Sequence, residues 1–133
     1  MPRIFAIFII LVTHMSLAHA HNLKTGDILL QPLKCWACTL IEEQEDSLYS
    51  HIGVYLNIDG KDMVAEAYGK VQLVTLEAFL KKTETGLKVL AKRHFDFMNL
   101  GEKFTAKTLS YIGNPYDHYF LWDNEVEGKE AIY

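Results

Sequence analysis

Hydrophobic and polar residues alternate between positions 51 and 68, which predicts two β-strands. The first strand carries an aliphatic side chain at every second position: Ile52, Val54, Leu56 and Ile58. This two-residue period is typical of a strand with one buried face. The dipeptide Asp59-Gly60 is a preferred two-residue turn, and the return strand is predicted over 61–68. The pattern therefore predicts a β-hairpin.

The length of the turn sets which residues of the two strands lie opposite each other. If Ile58 faces Lys61, counting back places Gly53 opposite Glu66. His51 lies two positions before Gly53, so His51 and Glu66 would be diagonal neighbours on one face, about 7–8 Å apart at Cα. A carboxylate can bridge that gap and hold an imidazole, so the hairpin predicts contact between the two side chains.

The two faces of the predicted hairpin differ in character. One face, which we expect to be the core face, carries Ile52, Val54, Leu56, Ile58, Met63, Ala65 and Ala67. The other face, expected to point away from the core, carries His51, Gly53, Tyr55, Val64 and Glu66. Glycine has no side chain, so position 53 would leave room for a ligand or another element to approach.

Shorter patterns predict the other elements of the chain. Strands are predicted over 26–31 and 86–93, and residues 71–75 continue as strand or loop. Helical spacing of apolar residues predicts a short helix that starts at Leu33 and holds both cysteines. Two further helices are predicted, over 75–82 with Thr75 as its cap, and over 99–113 with its end at Gly113.

Composition bounds the class of protein. A chain of 133 residues predicts one domain, and a hydrophobic content of 50% is enough for one globular core. The net charge of -4 argues against nucleic acid or an acidic surface as the main partner.

The first twenty residues have the features of a secretory signal peptide. Arg3 precedes an apolar run over 4–12, and Ala18-His19-Ala20 fits the pattern before a cleavage point. We expect cleavage after Ala20, export to the periplasm or the medium, and a mature domain over 21–133 without a stable membrane span. The alternative is an uncleaved membrane anchor.

Cys35 and Cys38 form a C-x-x-C motif at the start of the predicted helix. In an exported protein such a pair can form a local disulfide. It can also be a thiol redox motif, although the later cis-proline strand of thioredoxin-like chains is not found. Two cysteines alone lack the remaining ligands of a structural zinc site.

The pair His51 and Glu66 has three interpretations. An imidazole oriented by a carboxylate is the base half of a nucleophilic hydrolase. In the plainer interpretation, His51 only starts a strand and Glu66 is solvated. A metal site that adds His94 or His118 is a further alternative, but no compact metal-binding motif is present and we expect neither metal nor cofactor.

Four segments in order carry a family resemblance: "GDILLQ", "YSHIGVYL", "VAEAYGKVQLVTLEAFL" and "YIGNPYDHYFLWDNE". Together they resemble the permuted papain-like cysteine hydrolases of the YiiX/YebB type, relatives of the NlpC cell-wall peptidases and of lecithin–retinol acyltransferase. The resemblance covers the chain from Gly26 onward. It implies an α+β, circularly permuted papain-like fold, with an antiparallel sheet packed against helices. It also implies His51 as general base and then acid, with Glu66 as the orienting group.

The resemblance also implies a nucleophilic cysteine at a helix start, expected just after Tyr133 and not present in the 133 residues. These residues on their own are therefore expected to be inactive. Three explanations are open: the chain is a fragment of a longer protein, it is a natural homologue that binds without cleaving, or Cys35 is a substitute nucleophile.

The substrate would be a peptide, a lipid amide or an acyl ester, thioester or amide. A candidate substrate surface, equally interpretable as core, consists of Tyr116, Tyr119, Phe120 and Trp122. Two other functional classes stay open: a non-catalytic peptide- or lipid-binding module of the envelope, and a thiol redox protein that uses Cys35 and Cys38. The sequence does not predict the oligomeric state.

Overall fold

Among the residues that the structure describes, five antiparallel strands form one sheet, with the order β4-β3-β2-β1-β5. The computed structural model of the chain describes residues 22–93 and 101–115. The elements are β1 (Ile28–Gln31), α1 (Trp36–Glu45), β2 (His51–Ile58), β3 (Lys61–Tyr68), β4 (Lys70–Thr75), α2 (Leu76–Leu80), β5 (Leu90–Lys92) and α3 (Gly101–Leu109). This arrangement confirms the predicted α+β class with an antiparallel sheet.

The register predicted for the β2–β3 hairpin is confirmed. Ile58 pairs with Lys61, and Gly53 pairs with Glu66. Asp59 and Gly60 both have positive φ angles, of 51° and 78°, as a type I′ turn requires. The turn matches the twist of the strands, so the local sequence is enough to set the pairing.

The prediction of which hairpin face packs against the main core cluster was wrong. The buried cluster consists of Leu29, Tyr55, Val64, Leu76 and Phe79. Tyr55 and Val64 lie on the face that was expected to point away from the core. Ile52, on the predicted core face, is 57% exposed, although Leu56 on that face is fully buried. The alternating pattern reports two faces but not which one a helix will cover, and α2 packs on the face of Tyr55.

Helix α2 is held on the sheet at both ends. At its start, the hydroxyl of Thr75 accepts a hydrogen bond from the backbone N–H of Ala78 at 3.1 Å, which confirms the predicted cap. At its end, the side-chain amide of Gln31 on β1 donates to the backbone oxygen of Phe79 at 2.6 Å and to the hydroxyl of Thr83 at 2.9 Å. These bonds place the ring of Phe79 against the sheet, where it is fully buried.

Several of the predicted helices and strands were longer than the observed ones. The predicted helix from Leu33 begins at Trp36, because Leu33 is still extended and forms an isolated β-bridge with Thr83. Of the strand predicted over 86–93, only Leu90–Lys92 pairs with β1. The last described helix ends at Leu109 and continues only as turns toward Gly113.

The cysteine motif does not lie in a thioredoxin-like unit. Helix α1 connects β1 to β2, but these two strands are adjacent and antiparallel. A βαβ unit needs parallel strands. A thioredoxin-like fold is therefore excluded for this segment. Any thiol chemistry of the two cysteines would depend on their local surroundings alone.

Candidate active site

The first residue of β2 and the sixth residue of β3 bring an imidazole and a carboxylate into contact. Nε2 of His51 lies 2.8 Å from Oε2 of Glu66. The Glu66 side chain is fully buried, and the His51 side chain is 11% exposed. The diagonal position predicted from the hairpin therefore produces a hydrogen bond, while the catalytic role of the pair stays a prediction.

The second carboxylate oxygen of Glu66 is also engaged. Oε1 accepts a hydrogen bond from the side-chain amide of Gln72 at 2.9 Å and another from Nζ of Lys82. Gln72 lies directly opposite Glu66 in the β3–β4 pairing, and Lys82 follows the end of α2. Among the described residues the carboxylate thus has three partners, of which His51 alone was identified from the sequence.

The contact of Glu66 with Gln72 could have been predicted from the sequence, whereas its contact with Lys82 could not. The turn between β3 and β4 is a single glycine, Gly69, with a φ of 73°. Counting across that turn pairs Glu66 with Gln72. A prediction of a second hairpin, with its turn at Gly69, would therefore have predicted the contact between Glu66 and Gln72. No local pattern predicts Lys82, because its approach depends on how α2 packs on the sheet.

The environment of Glu66 keeps its carboxylate charged. Burial raises the pKa of Glu66, but hydrogen bonds from His51, Lys82 and Gln72 and the charge of Lys82 outweigh it and hold the pKa at about 2. An ionised carboxylate can only accept hydrogen bonds. Nε2 of His51 must then carry the proton, which leaves the Nδ1 lone pair as the basic site of the neutral ring.

Aromatic rings position the imidazole. The ring of Phe79 stacks against His51 with centroids 5.9 Å apart and planes inclined by 29°. Tyr68 meets His51 edge-on, with centroids 6.0 Å apart and an interplanar angle of 77°. Tyr68 is 52% exposed, so its ring forms an open rim at the site. Over the same ring, Nζ of Lys82 lies 4.8 Å from the centroid.

No bond joins Nδ1 of His51 to another of the described residues. Within the described part of the chain, the ring nitrogen that no hydrogen bond holds is therefore the one that Glu66 does not contact. A general base needs this arrangement: one nitrogen anchored by a hydrogen bond and the other presented to the group that loses a proton.

The two cysteines are oxidised, whereas a cysteine nucleophile must be a free thiolate. Cys35 and Cys38 are joined in a disulfide. A disulfide sulfur is not a thiolate and cannot attack a carbonyl. While this bond is intact, Cys35 does not serve as the substitute nucleophile considered above.

Several predicted residues lie outside the described parts of the chain. They are the candidate substrate surface of Tyr116, Tyr119, Phe120 and Trp122, the candidate ligands His94 and His118, and the terminal Tyr133. Over 22–93 and 101–115, no group of three histidine, cysteine or acidic side chains could hold a metal ion. In the same ranges, no helix is long and apolar enough to cross a bilayer.

Comparison with known proteins identifies the family. The model of the permuted papain-like amidase enzymes, the YaeF/YiiX or C92 family, matches residues 22–133. This chain belongs to that family. The match confirms the resemblance drawn from the sequence motifs, and the papain-like fold with it.

A solved structure supports the membership of this chain in the C92 family. The chain is similar to the metalloprotein YiiX from Escherichia coli O157:H7, with 29% sequence identity and a TM-score of 0.68. The similarity covers 75% of this chain and 56% of YiiX, so the chain spans little more than half the length of that protein. A comparison with curated proteins found no match.

Proposed function

We propose that this chain supplies the acid–base half of a cysteine amidase or peptidase site, with His51 as the base and Glu66 as its orienting group. The observation that carries the proposal is the 2.8 Å contact between Nε2 of His51 and the buried Oε2 of Glu66. Membership of a permuted papain-like amidase family supports the same reaction class.

In this proposal the two nitrogens of His51 have separate tasks. Nδ1 accepts the proton of a cysteine thiol, and the resulting thiolate attacks an amide, thioester or ester carbonyl. The imidazolium then returns the proton to the leaving group, and water releases the acyl group in a second step. Through its bond to Nε2–H, Glu66 stabilises the imidazolium and holds the ring in place.

The nucleophile in this proposal is the cysteine that the family pattern puts just after Tyr133. These 133 residues do not contain it, so we propose the activity for a protein in which this chain is joined to that cysteine. Sequencing the DNA beyond the Tyr133 codon tests this directly. An in-frame cysteine followed by a helical sequence supports the enzyme, and a stop codon there favours the non-catalytic binding module.

The decisive assay measures hydrolysis of activated amide, thioester and ester substrates by a protein that carries both this chain and that cysteine. We expect His51→Ala to lower kcat/KM by about a thousandfold or more, since members of a triad act as a unit. Lys81→Ala is a matched control on an exposed surface pair with Glu77 and should keep full activity. Equal activity of His51→Ala and the unmodified protein would contradict the proposal.

A metal at the His51–Glu66 pair does not fit the described residues. YiiX is called a metalloprotein, so the question arises for this chain. Both oxygens of Glu66 are already bonded, and Lys82 brings a positive charge to Oε1. A second cation beside that ammonium group would be repelled, so the proposed reaction uses no metal at this pair.

We also propose that the protein is exported after removal of residues 1–20. The support is the pattern of Arg3, an apolar run and a small-residue cleavage site, together with a family match that starts at residue 22. Mass spectrometry of the protein from the periplasm and the medium tests this proposal, with His21 expected as the first residue. Recovery of the intact leader in the membrane fraction would favour the anchor.

A further inference from the structure

The disulfide at the start of α1 joins two sulfur atoms with different access to solvent. Cys35 is exposed, whereas Cys38 is only 4% exposed. The residues on either side of Cys35 are also exposed, and Trp36 is 83% exposed. A thiol that approaches from solvent therefore has better access to Cys35 than to Cys38.

This disulfide connects no two separate parts of the fold. The cysteines are three positions apart, at the cap and in the first turn of the same helix. Constraint of the unfolded chain is smallest for such short loops. A separate contact, which involves neither cysteine, joins α1 to the residue before β2: the hydroxyl of Ser50 donates to Glu42 at 3.0 Å. Opening the disulfide leaves the two partners of this contact unchanged.

The surroundings of Cys35 favour a thiolate. Its sulfur accepts a hydrogen bond from the backbone N–H of Cys38 at 3.0 Å, as the cap of the helix. The first turn of α1 carries no acidic residue that would oppose a negative charge on that sulfur. A hydrogen bond of this kind, where it is made to a free thiol, stabilises the charged form.

From these observations we propose that the Cys35–Cys38 pair is a site of thiol–disulfide exchange, with Cys35 as the residue that bonds to the external thiol. The site lies on α1, does not use His51 or Glu66, and does not depend on the proposed amidase activity. Because the fold is not thioredoxin-like, the exchange is a property of this helix start and its exposure pattern.

The exchange proceeds in two balanced steps. An external thiolate attacks the sulfur of Cys35, a mixed disulfide forms there, and the bond to Cys38 breaks to leave a Cys38 thiolate that takes a proton. A second external thiol then attacks the external sulfur of the mixed disulfide and releases Cys35 as a thiolate. The protein pair is reduced by two electrons, and the two external thiols become one disulfide.

The test compares two single variants, Cys38→Ser and Cys35→Ser, in oxidised glutathione. Each variant keeps one cysteine of the two in the chain. We expect Cys38→Ser to form a mixed disulfide at least about tenfold faster than Cys35→Ser, since access and thiolate character both favour Cys35. Mass spectrometry follows the added glutathione, and both rates should converge in denaturant, where burial no longer distinguishes the sulfurs.

A second measurement uses the unmodified chain and does not depend on how the variants fold. Reduced glutathione is added in native buffer, the reaction is quenched with acid, and peptide mapping locates the mixed disulfide. We expect it on Cys35. A parallel reaction with a reduced dithiol protein shows whether a small thiol or a protein is the faster partner, and exchange with either supports the proposal. Equal rates for the two variants, or reduction only after unfolding, would overturn it.

Discussion

Phe79 packs against Gly53 so closely that a Cβ atom at position 53 would lie 2.7 Å from Cε2 of the ring. The same Cβ would lie 2.5 Å from Cγ1 of Val64, which is fully buried. Phe79 also stacks on the imidazole of His51. The missing side chain at position 53 therefore lets α2 approach the sheet and hold the candidate base in place.

Gly53→Ala is expected to lower the free energy of unfolding by about 1–3 kcal/mol, because the added methyl group overpacks the contact with Phe79 and Val64. Urea denaturation measures the change. Gly101→Ala is the matched control, since no atom of the residues that the structure describes lies within 4 Å of a Cβ at that position. A fully stable Gly53→Ala protein would show that α2 can shift away from the sheet without cost.

The protonated nitrogen of His51 can be observed directly. We expect the neutral ring to carry its proton on Nε2, because the ionised Glu66 carboxylate accepts from that atom at 2.8 Å. Nitrogen-15 chemical shifts of the imidazole at neutral pH distinguish the two tautomers. In Glu66→Gln the preference should weaken, since an amide can also donate. A proton on Nδ1 in the unmodified protein would contradict the proposed assignment of the base.

Lys82→Met is expected to raise the pKa of Glu66, because both the hydrogen bond and the positive charge of Lys82 are removed from the carboxylate. The free energy of unfolding at neutral pH should fall by about 1–3 kcal/mol, as expected when a hydrogen-bonded partner of a buried charge is lost. Carbon-13 titration of the Glu66 carboxyl group and urea denaturation measure the two effects.

The control for Lys82→Met is the same substitution at the preceding residue. Lys81 pairs with Glu77 at 2.9 Å, but both side chains are more than 70% exposed, at 73% and 71%. Water screens such a pair, so Lys81→Met should leave the free energy of unfolding unchanged. Equal effects of the two substitutions would mean that Lys82 does not stabilise the buried carboxylate.

The stability of the protein should decrease in acid through Glu66. Its pKa of about 2 in the folded state lies below the ordinary value of 4.5. The stabilisation is therefore complete above about pH 4.5 and is lost as the pH falls through about 2, with a total of about 3 kcal/mol. Chemical denaturation at a series of pH values measures this loss.

Other carboxylates also contribute to the loss of stability in acid. Burial raises the pKa of Asp27, but hydrogen bonds with Arg93 and Lys24 and the charges of these two residues outweigh burial and lower it. The variant Glu66→Gln separates the effect of Glu66 from theirs. The difference in free energy of unfolding between the unmodified protein and Glu66→Gln should shrink between pH 5 and pH 2. A constant difference over that range would show that the Glu66 charge does not contribute in the way its contacts imply.

Features that depend on a few neighbouring residues were predictable from the sequence. The turn at Asp59-Gly60 requires backbone angles that these two residues adopt readily, and it sets the register of the whole hairpin. The cap at Thr75 is equally local. Together with the family motifs, these patterns predicted the fold class. They also predicted that His51 and Glu66 lie on one face of the hairpin.

Only the tertiary structure decided which face of that hairpin is buried and what completes the site. The period of two distinguishes the faces of a strand, but the covered face depends on where α2 packs, and Gly53 allows it to pack over His51. Lys82 reaches Glu66 from sixteen residues away, at the end of that helix. Such contacts depend on packing between elements distant in sequence, and no local pattern of residue types determines them.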